Sequence, residues 1–458
     1  MKITDTIAAI ATAAGHSGIG VIRVSGEDAL LIVDQVFKSY KGKSLSDVES
    51  HTAHFGYIMD EDTEIDQVLV LVMRAPNSYT GENTVEIDCH GGMLVLKKVL
   101  DTVIKAGARS AEPGEFTKRA FLNGKMDLSQ AEAVMDLINA KNEMARNSSI
   151  MQLKGDIADE IKALREKILY HIAYIESALD DPEHISLEGY SIKVLEAVDS
   201  ASGKIQKLAD TFDNGRIMKE GISTVILGKP NAGKSSLLNL LLGEDRAIVT
   251  DVEGTTRDTL EEYINIQGIG LNIVDTAGIR SSEDVVEQIG VSKAKEMAEK
   301  ADLVLFVVDG ASELDDNDRH IFELISGKKA IVLINKTDID QVVNKEEIKE
   351  LTDAKLIDFS AKTGEGMDKL ISVISKMFYD GEVTYNDQIY ITNARHKEAL
   401  DDALKSLSKV RDSIENKMPE DFYSIDLMDA YTSLGLIIGE SVEDDLVNEI
   451  FSKFCMGK

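Results

Sequence analysis

The stretch GKPNAGKSS, Gly228 to Ser236, follows the apolar run STVIL (223–227) and runs directly into LLNLLL (237–242). A glycine, four residues, then Gly-Lys-Ser between an apolar strand and an apolar helix is the setting that a phosphate-binding loop requires. Gly228 and Gly233 let backbone N–H groups turn inward around phosphate oxygens, with Asn231 and Ala232 between them. Lys234 is expected to reach the β and γ oxygens and Ser235 to ligate Mg2+, with Ser236 completing the first helical turn. Working outward, the runs LNIVDTAG (271–278), LVLFVVDG (303–310) and AIVLINKTD (330–338) are apolar on both faces and alternate with polar, helix-like sequence. That texture predicts an α/β domain with a parallel-rich sheet and flanking helices, Ras-like in its order of motifs.

The motifs downstream choose the nucleotide. Asp275, Thr276, Ala277 and Gly278 stand at a strand end, where the aspartate holds the metal's water and the glycine N–H meets the γ-phosphate. Asn335, Lys336, Thr337 and Asp338 form an NKxD motif. One carboxylate there accepts two hydrogen bonds from guanine N1 and N2; adenine offers no such pair of donors, so Asp338 selects GTP. Ser360, Ala361 and Lys362 supply the later loop that meets the guanine oxygen. Upstream, Thr250, Asp251, Val252, Glu253, Gly254, Thr255 and Thr256 occupy the place of a first switch, with Thr256 the second hydroxyl on Mg2+. The residue after Gly278 is Ile279, which cannot hydrogen-bond a water. The acidic candidates just beyond, Glu283, Asp284 and Glu287, leave the position of the catalytic water open at this point.

The chain has 458 residues, 43% hydrophobic and 29% charged, enough for about three domains and unlike a disordered or membrane-spanning sequence. Lys plus Arg number 50 against 81 Asp plus Glu, a formal charge of −31, so any nucleic acid must be met at a local site. Residues 1–122, with 12 basic and 17 acidic side chains, are the least repulsive region for a polyanion. Ile161, Leu164, Ile168, Ile172, Ile175 and Leu179 step at helical intervals, as do Leu400, Leu404, Leu407, Val410 and Ile414. The expected organisation is an α+β domain at 1–122, a discontinuous helical domain at 123–216 and 384–458, and the nucleotide domain inserted at 217–383. The only two cysteines, Cys89 and Cys455, have a spacing that suggests neither a disulfide framework nor a metal clip, so a reducing cytoplasm is expected. The run Ile7 to Ala14 is too poor a signal peptide to change this, and no basic amphipathic or lipidated segment calls for a membrane. His51, His54, Cys89 and His90 do not have zinc spacing.

Along its whole length the sequence resembles the MnmE (TrmE) family of tRNA-modification GTPases. The resemblance rests on DTIAAIAT (5–12), SYTGENTVEIDCHGG (78–92), EPGEFTKRAFLNGKMDLSQAEA (112–133), the GTPase motifs and the tail FCMGK (454–458). It implies a folate-binding, dimerising first domain and a GTPase acting on tRNA. With an FAD-containing partner, MnmG, in a heterotetramer, it would add a carboxymethylaminomethyl or aminomethyl group to C5 of the wobble uridine. It nominates Arg23, Glu86, Lys125 and Lys458 for a tetrahydrofolate donor in the 5-formyl or methylene form, and Asn231, Thr250, Val252 and Thr255 for K+. It chooses Glu287 for the catalytic water and gives Cys455 a catalytic place in modification. Met456 stands where the family usually has Ile, which leaves the cysteine and glycine of the tail in register. The rival from another class is a ribosome-assembly or scaffold GTPase, for which a basic appended domain is missing from the sequence.

Overall fold

The structure is a computed structural model, and it describes residues 5–13, 15–244, 262–274, 290–379, 389–440, 442, 444–455 and 457. The first 110 residues build a seven-stranded sheet from β1 (Ile7–Ile10), β2 (Ser17–Ser25), β3 (Phe37–Ser39), β4 (Thr52–Asp60), β5 (Thr63–Met73), β6 (Thr84–Gly91) and β7 (Arg109–Ser110). The order is β3-β4-β5-β6-β2-β1-β7, antiparallel except where β1 meets β7. Strand alternation sorts the side chains: Ile22, Val24, Val70, Val72, Val85 and Ile87 are buried against α1 (Ala29–Val36) and α2 (Met93–Lys105). Each such burial contributes roughly 1.5–3 kcal/mol. The intervening residues Arg23 and Glu86 are thereby placed opposite each other on the other face.

The helix α3 (Glu115–Leu122) is fastened by an ionic network rather than by oil alone. Arg119, 1% exposed, donates to Asp5 Oδ1 at 2.8 Å, Glu115 Oε1 at 3.0 Å and Glu82 at 3.3 Å. A buried guanidinium is tolerated because several carboxylates surround it. Arg109 adds a 2.6 Å contact to Glu115.

The helices α4 (Leu128–Ile138), α5 (Glu143–Lys154), α6 (Asp156–Asp180), α7 (Tyr190–Asp210) and α8 (Phe212–Glu220) follow. Along α6 the expected stripe is buried from Ile161 to Ile175, but Leu179 is exposed, so the row ends one turn early.

The second sheet contains β8 (Ile222–Leu227), β9 (Glu262–Ile266), β10 (Ile269–Ile273), β11 (Leu303–Asp309), β12 (Ala330–Asn335) and β13 (Lys355–Asp358) in the order β13-β12-β11-β8-β10-β9. Its strands are parallel apart from the β9–β10 hairpin at one edge. One face packs on α9 (Lys234–Glu244), and the other on α10 (Gly290–Lys300), α11 (Asp316–Ile325) and α12 (Lys345–Leu351). The helix α13 (Met367–Phe378) shares the face of α9.

After it come α14 (Ala394–Glu415), α15 (Glu420–Ile438) and α16 (Asp444–Ser452). The helices α7 and α14 pack together, and Asp199 and Arg411 pair across them. The described chain forms two compact units. One comprises Met1–Met135, Gln152–Glu176 and Leu427–Lys458, the other Asp136–Met151 and Ser177–Asp426. Among the described residues no helix is long and apolar enough to cross a membrane.

Candidate functional site

The apolar strand β8 ends at Leu227, and the chain must then turn sharply to enter α9. In that turn Asn231 takes a left-handed backbone (φ 61°) and Gly233 a φ of 106°. A Cβ at Gly233 would lie 2.0 Å from Asn335 Nδ2, so only glycine fits. The Lys234 ammonium folds back on the carbonyls of Gly228 (2.8 Å) and Lys229 (2.9 Å). Burial pulls its pKa below the ordinary lysine value, so an arriving polyphosphate meets a desolvated cation. Ser235 and Ser236 stand exposed in the first turn of α9, at the positive end of its dipole.

The end of β12 ties this loop to the base-reading side. Asn335, 2% exposed, donates from Nδ2 to Ala232 O at 2.8 Å and accepts from Ala361 N at 2.9 Å. One side chain thus bridges the Gly228–Ser236 loop and the loop at Ala361. Lys336, with φ 68°, pairs with Asp309 at 2.6 Å, and Thr337 N donates to Phe359 O at 3.2 Å. Asp338 Oδ1 accepts from the buried Ser360 hydroxyl at 2.9 Å, while Lys362 Nζ lies 3.6 Å from Oδ2. The Ser360 hydroxyl, and then Lys362, hold the Asp338 carboxyl below the usual carboxylate range. An ionised acceptor at neutral pH is what a pair of guanine donors needs.

Two supports were missed in the sequence. Lys229 reaches Asp318 at 2.9 Å and Asp315 at 3.2 Å, where Asp315 and Asp318 also form the capping box of α11. Asp309, at the end of β11, was visible only as the aspartate of VVDG. Thr250, Asp251, Val252, Glu253, Gly254, Thr255, Thr256, Asp275, Thr276, Ala277, Gly278, Glu287 and Lys458 lie outside the described residues.

A second cluster lies on the first sheet. Arg23 Nε donates to Glu86 Oε1 at 2.8 Å, and Arg23 Nη1 to the tail carbonyl of Gly457 at 3.4 Å. Gly457 (φ 83°) is pressed against β1: a Cβ there would lie 2.3 Å from Ile10 O. The tail is held by its backbone, with Gly114 N donating to Cys455 O at 3.3 Å and Phe454 buried beside Phe451. Cys455 itself is exposed. Lys125 Nζ reaches Pro76 O, in the loop joining β5 and β6, at 3.1 Å.

A parallel-rich sheet with a phosphate loop after one strand and an NKxD aspartate after another defines a P-loop GTPase. Two family models match: "GTP-binding protein TrmE N-terminus" over residues 6–125 and "MnmE helical domain" over 128–455. The tRNA modification GTPase MnmE of Lachnoclostridium phytofermentans is 56% identical over 99% of this chain and 100% of its own length. The MnmE protein of Alkaliphilus oremlandii is 48% identical over 100% of both chains. The chain belongs to the MnmE family. Among solved structures, Era bound to MgGDPNP and nucleotides of 16S ribosomal RNA is 31% identical over 40% of this chain and 66% of its own. Its TM-score is 0.26.

Proposed function

We propose that this protein hydrolyses GTP in order to modify the wobble uridine of certain tRNAs. With an FAD-dependent partner, MnmG, it installs a carboxymethylaminomethyl or aminomethyl group at C5, drawing the one-carbon unit from a tetrahydrofolate derivative. The observation that carries the reading is the pairing, on one chain of this family, of two separate sites. One is a guanine-reading loop built on Asp338; the other is a charged cluster, Arg23 with Glu86, onto which the C-terminal tail is folded.

In the first site the glycine cradle and Lys234 hold the polyphosphate, Asp338 the base. Ser235 and Thr256 would hold Mg2+, and Asn231, Thr250, Val252 and Thr255 would hold K+; cations so placed stabilise negative charge developing on the phosphoryl oxygens. Asn231 offers amide and carbonyl oxygens from a left-handed turn of that loop, the donor type a hard cation takes. Glu287 orients the attacking water. In the second site Arg23, Glu86, Lys125 and Lys458 receive the folate, and Cys455 acts in the modification step.

The chain works as a cytoplasmic homodimer joined through residues 1–122, assembled with MnmG into a heterotetramer. Residues 123–216 and 384–458 form its helical domain and 217–383 its G domain. The test is nucleoside analysis of tRNA from a strain lacking the protein. Loss of C5-modified wobble uridine supports the reading; unchanged wobble uridines reject it.

A further inference from the structure

A cross-strand arginine on an open sheet face has a long stem and many rotamers, and losing them on ligand binding weakens the complex. Arg23 is not free in this way. Its guanidinium carbon lies 5.4 Å from the ring centroid of Tyr79 and 5.6 Å from that of Phe116. Phe116 is completely buried on α3 and cannot follow the arginine if it moves. Tyr79 belongs to the loop between β5 and β6, and its hydroxyl shares a 2.9 Å hydrogen bond with the hydroxyl of Thr117. Thr117 is also completely buried and adjoins Phe116 on α3. Two neighbouring residues of one buried helix therefore fix both rings, one directly and one through a hydroxyl pair. Burial raises the phenol pKa of Tyr79 still further above neutrality.

We infer that Tyr79 is a positioning residue for the folate site, holding the Arg23 guanidinium, through cation–π contact and the Thr117 tether, in the orientation that pairs with Glu86 and faces the one-carbon donor. This rests on the folate reading given above. Tyr79 makes no chemical step of its own. Its ring limits where Arg23 can point, so its removal lowers affinity for the donor without touching the nucleotide site.

The experiment is equilibrium dialysis of the full chain against 5-formyltetrahydrofolate, with GTP affinity and the thermal midpoint as controls for folding. Arg23→Gln tests the underlying site: unchanged donor affinity there overturns the folate reading and this inference together. With that control weakened, Tyr79→Leu is expected to bind the donor about fivefold to thirtyfold more weakly, and Tyr79→Phe, which keeps the ring but loses the tether, about twofold to fivefold. In the Arg23→Gln background Tyr79→Leu is expected to have no further effect. Wild-type affinity in Tyr79→Leu overturns the inference and leaves the folate reading standing. An equal loss with and without Arg23 also overturns it, because packing alone would act that way. Should Tyr79→Leu fail to fold, Tyr79→Phe and Thr117→Val carry the same test: a loss in each that vanishes in Arg23→Gln supports the inference, and wild-type affinity in both overturns it.

Discussion

The buried hydroxyl of Ser360 donates to Asp338 Oδ1 at 2.9 Å, across 22 residues of sequence, and so fixes the face that this carboxylate offers to a base. Asp338→Asn exchanges an acceptor oxygen for a donor facing guanine's own donors. GTP affinity should fall by on the order of tenfold to a hundredfold. Ser360→Ala keeps the charge and loses only the orientation, so a smaller loss, about threefold to tenfold, is expected. Competition between GTP and ATP for the unmutated protein checks the assignment, and equal competition would sink it.

Asn142 is a second long-range support. It caps α5 through Ala145 N (2.7 Å) and donates from Nδ2 to Tyr263 OH (2.7 Å) on β9 and to Met218 O (3.1 Å) on α8. Lys141 Nζ lies 4.8 Å from the same tyrosine ring. A double-mutant cycle of Asn142→Ala with Tyr263→Phe, read on the unfolding transition of the unit that holds both residues, should return a coupling of about 0.5–1.5 kcal/mol. Additive single effects would mean that the contact contributes nothing.

These contacts mark where sequence reading stops. The phosphate loop and NKxD are legible because their geometry is carried by neighbours within a few residues, and the apolar runs beside them place strands. The antiparallel edge strand β9 is not, since EYINI (262–266) is short and has neither a continuous apolar run nor a strict alternation to mark it. The partnership of Asn142 with Tyr263, or of Arg119 with Asp5, joins residues more than a hundred apart. Nothing local marks either end. Arg23 and Glu86 face one another only through the register of β2 on β6, and a lone charge on a strand gives no hint of it. The resemblance supplied those two residues; the rings that flank Arg23 came from the structure.

The network at α3 predicts acid sensitivity. Burial alone would raise the Glu115 pKa, but hydrogen bonds from Arg109, Glu112 N and Arg119 outweigh it and hold the carboxyl below its ordinary value. A lowered folded-state pKa stabilises the fold above the unfolded value, near 4.3, and that contribution is lost as pH falls through the folded value. Glu115→Gln should therefore cost about 1–3 kcal/mol at pH 7, measured by denaturant unfolding. The gap from wild type should narrow towards pH 3; a gap that stays constant with pH would reject the ionic account.

Cys455 can be tested apart from the fold because its tail is pinned by backbone and by Phe454, not by the thiol. Cys455→Ser should leave GTP hydrolysis and the thermal midpoint unchanged while abolishing tRNA modification. Normal modification by a folded variant would reduce the thiol to an exposed side chain of no consequence.

Hydrolysis itself turns on how charge and water are supplied at the γ-phosphate. Ile279 stands where a water-orienting glutamine would be expected, and Glu287 is proposed in its stead. The oxygens of Asn231, Thr250, Val252 and Thr255 are proposed to enclose K+, where an arginine finger would otherwise deliver charge. Under the proposed meeting of two subunits' G domains to close that cage, turnover should be fast in potassium and slow in sodium at equal ionic strength. Glu287→Ala should then bind GTP and dimerise in potassium like the wild type, with turnover lower by on the order of 100-fold or more, as for loss of a group that orients or deprotonates water. Stopped-flow hydrolysis and sedimentation in each salt separate the two roles. Arg257 and Arg280 flank the two switch stretches in sequence and are the candidate fingers; equal rates in sodium and potassium, together with inactive Arg257→Ala or Arg280→Ala, would transfer the charge-stabilising role to one of them and remove potassium from the mechanism.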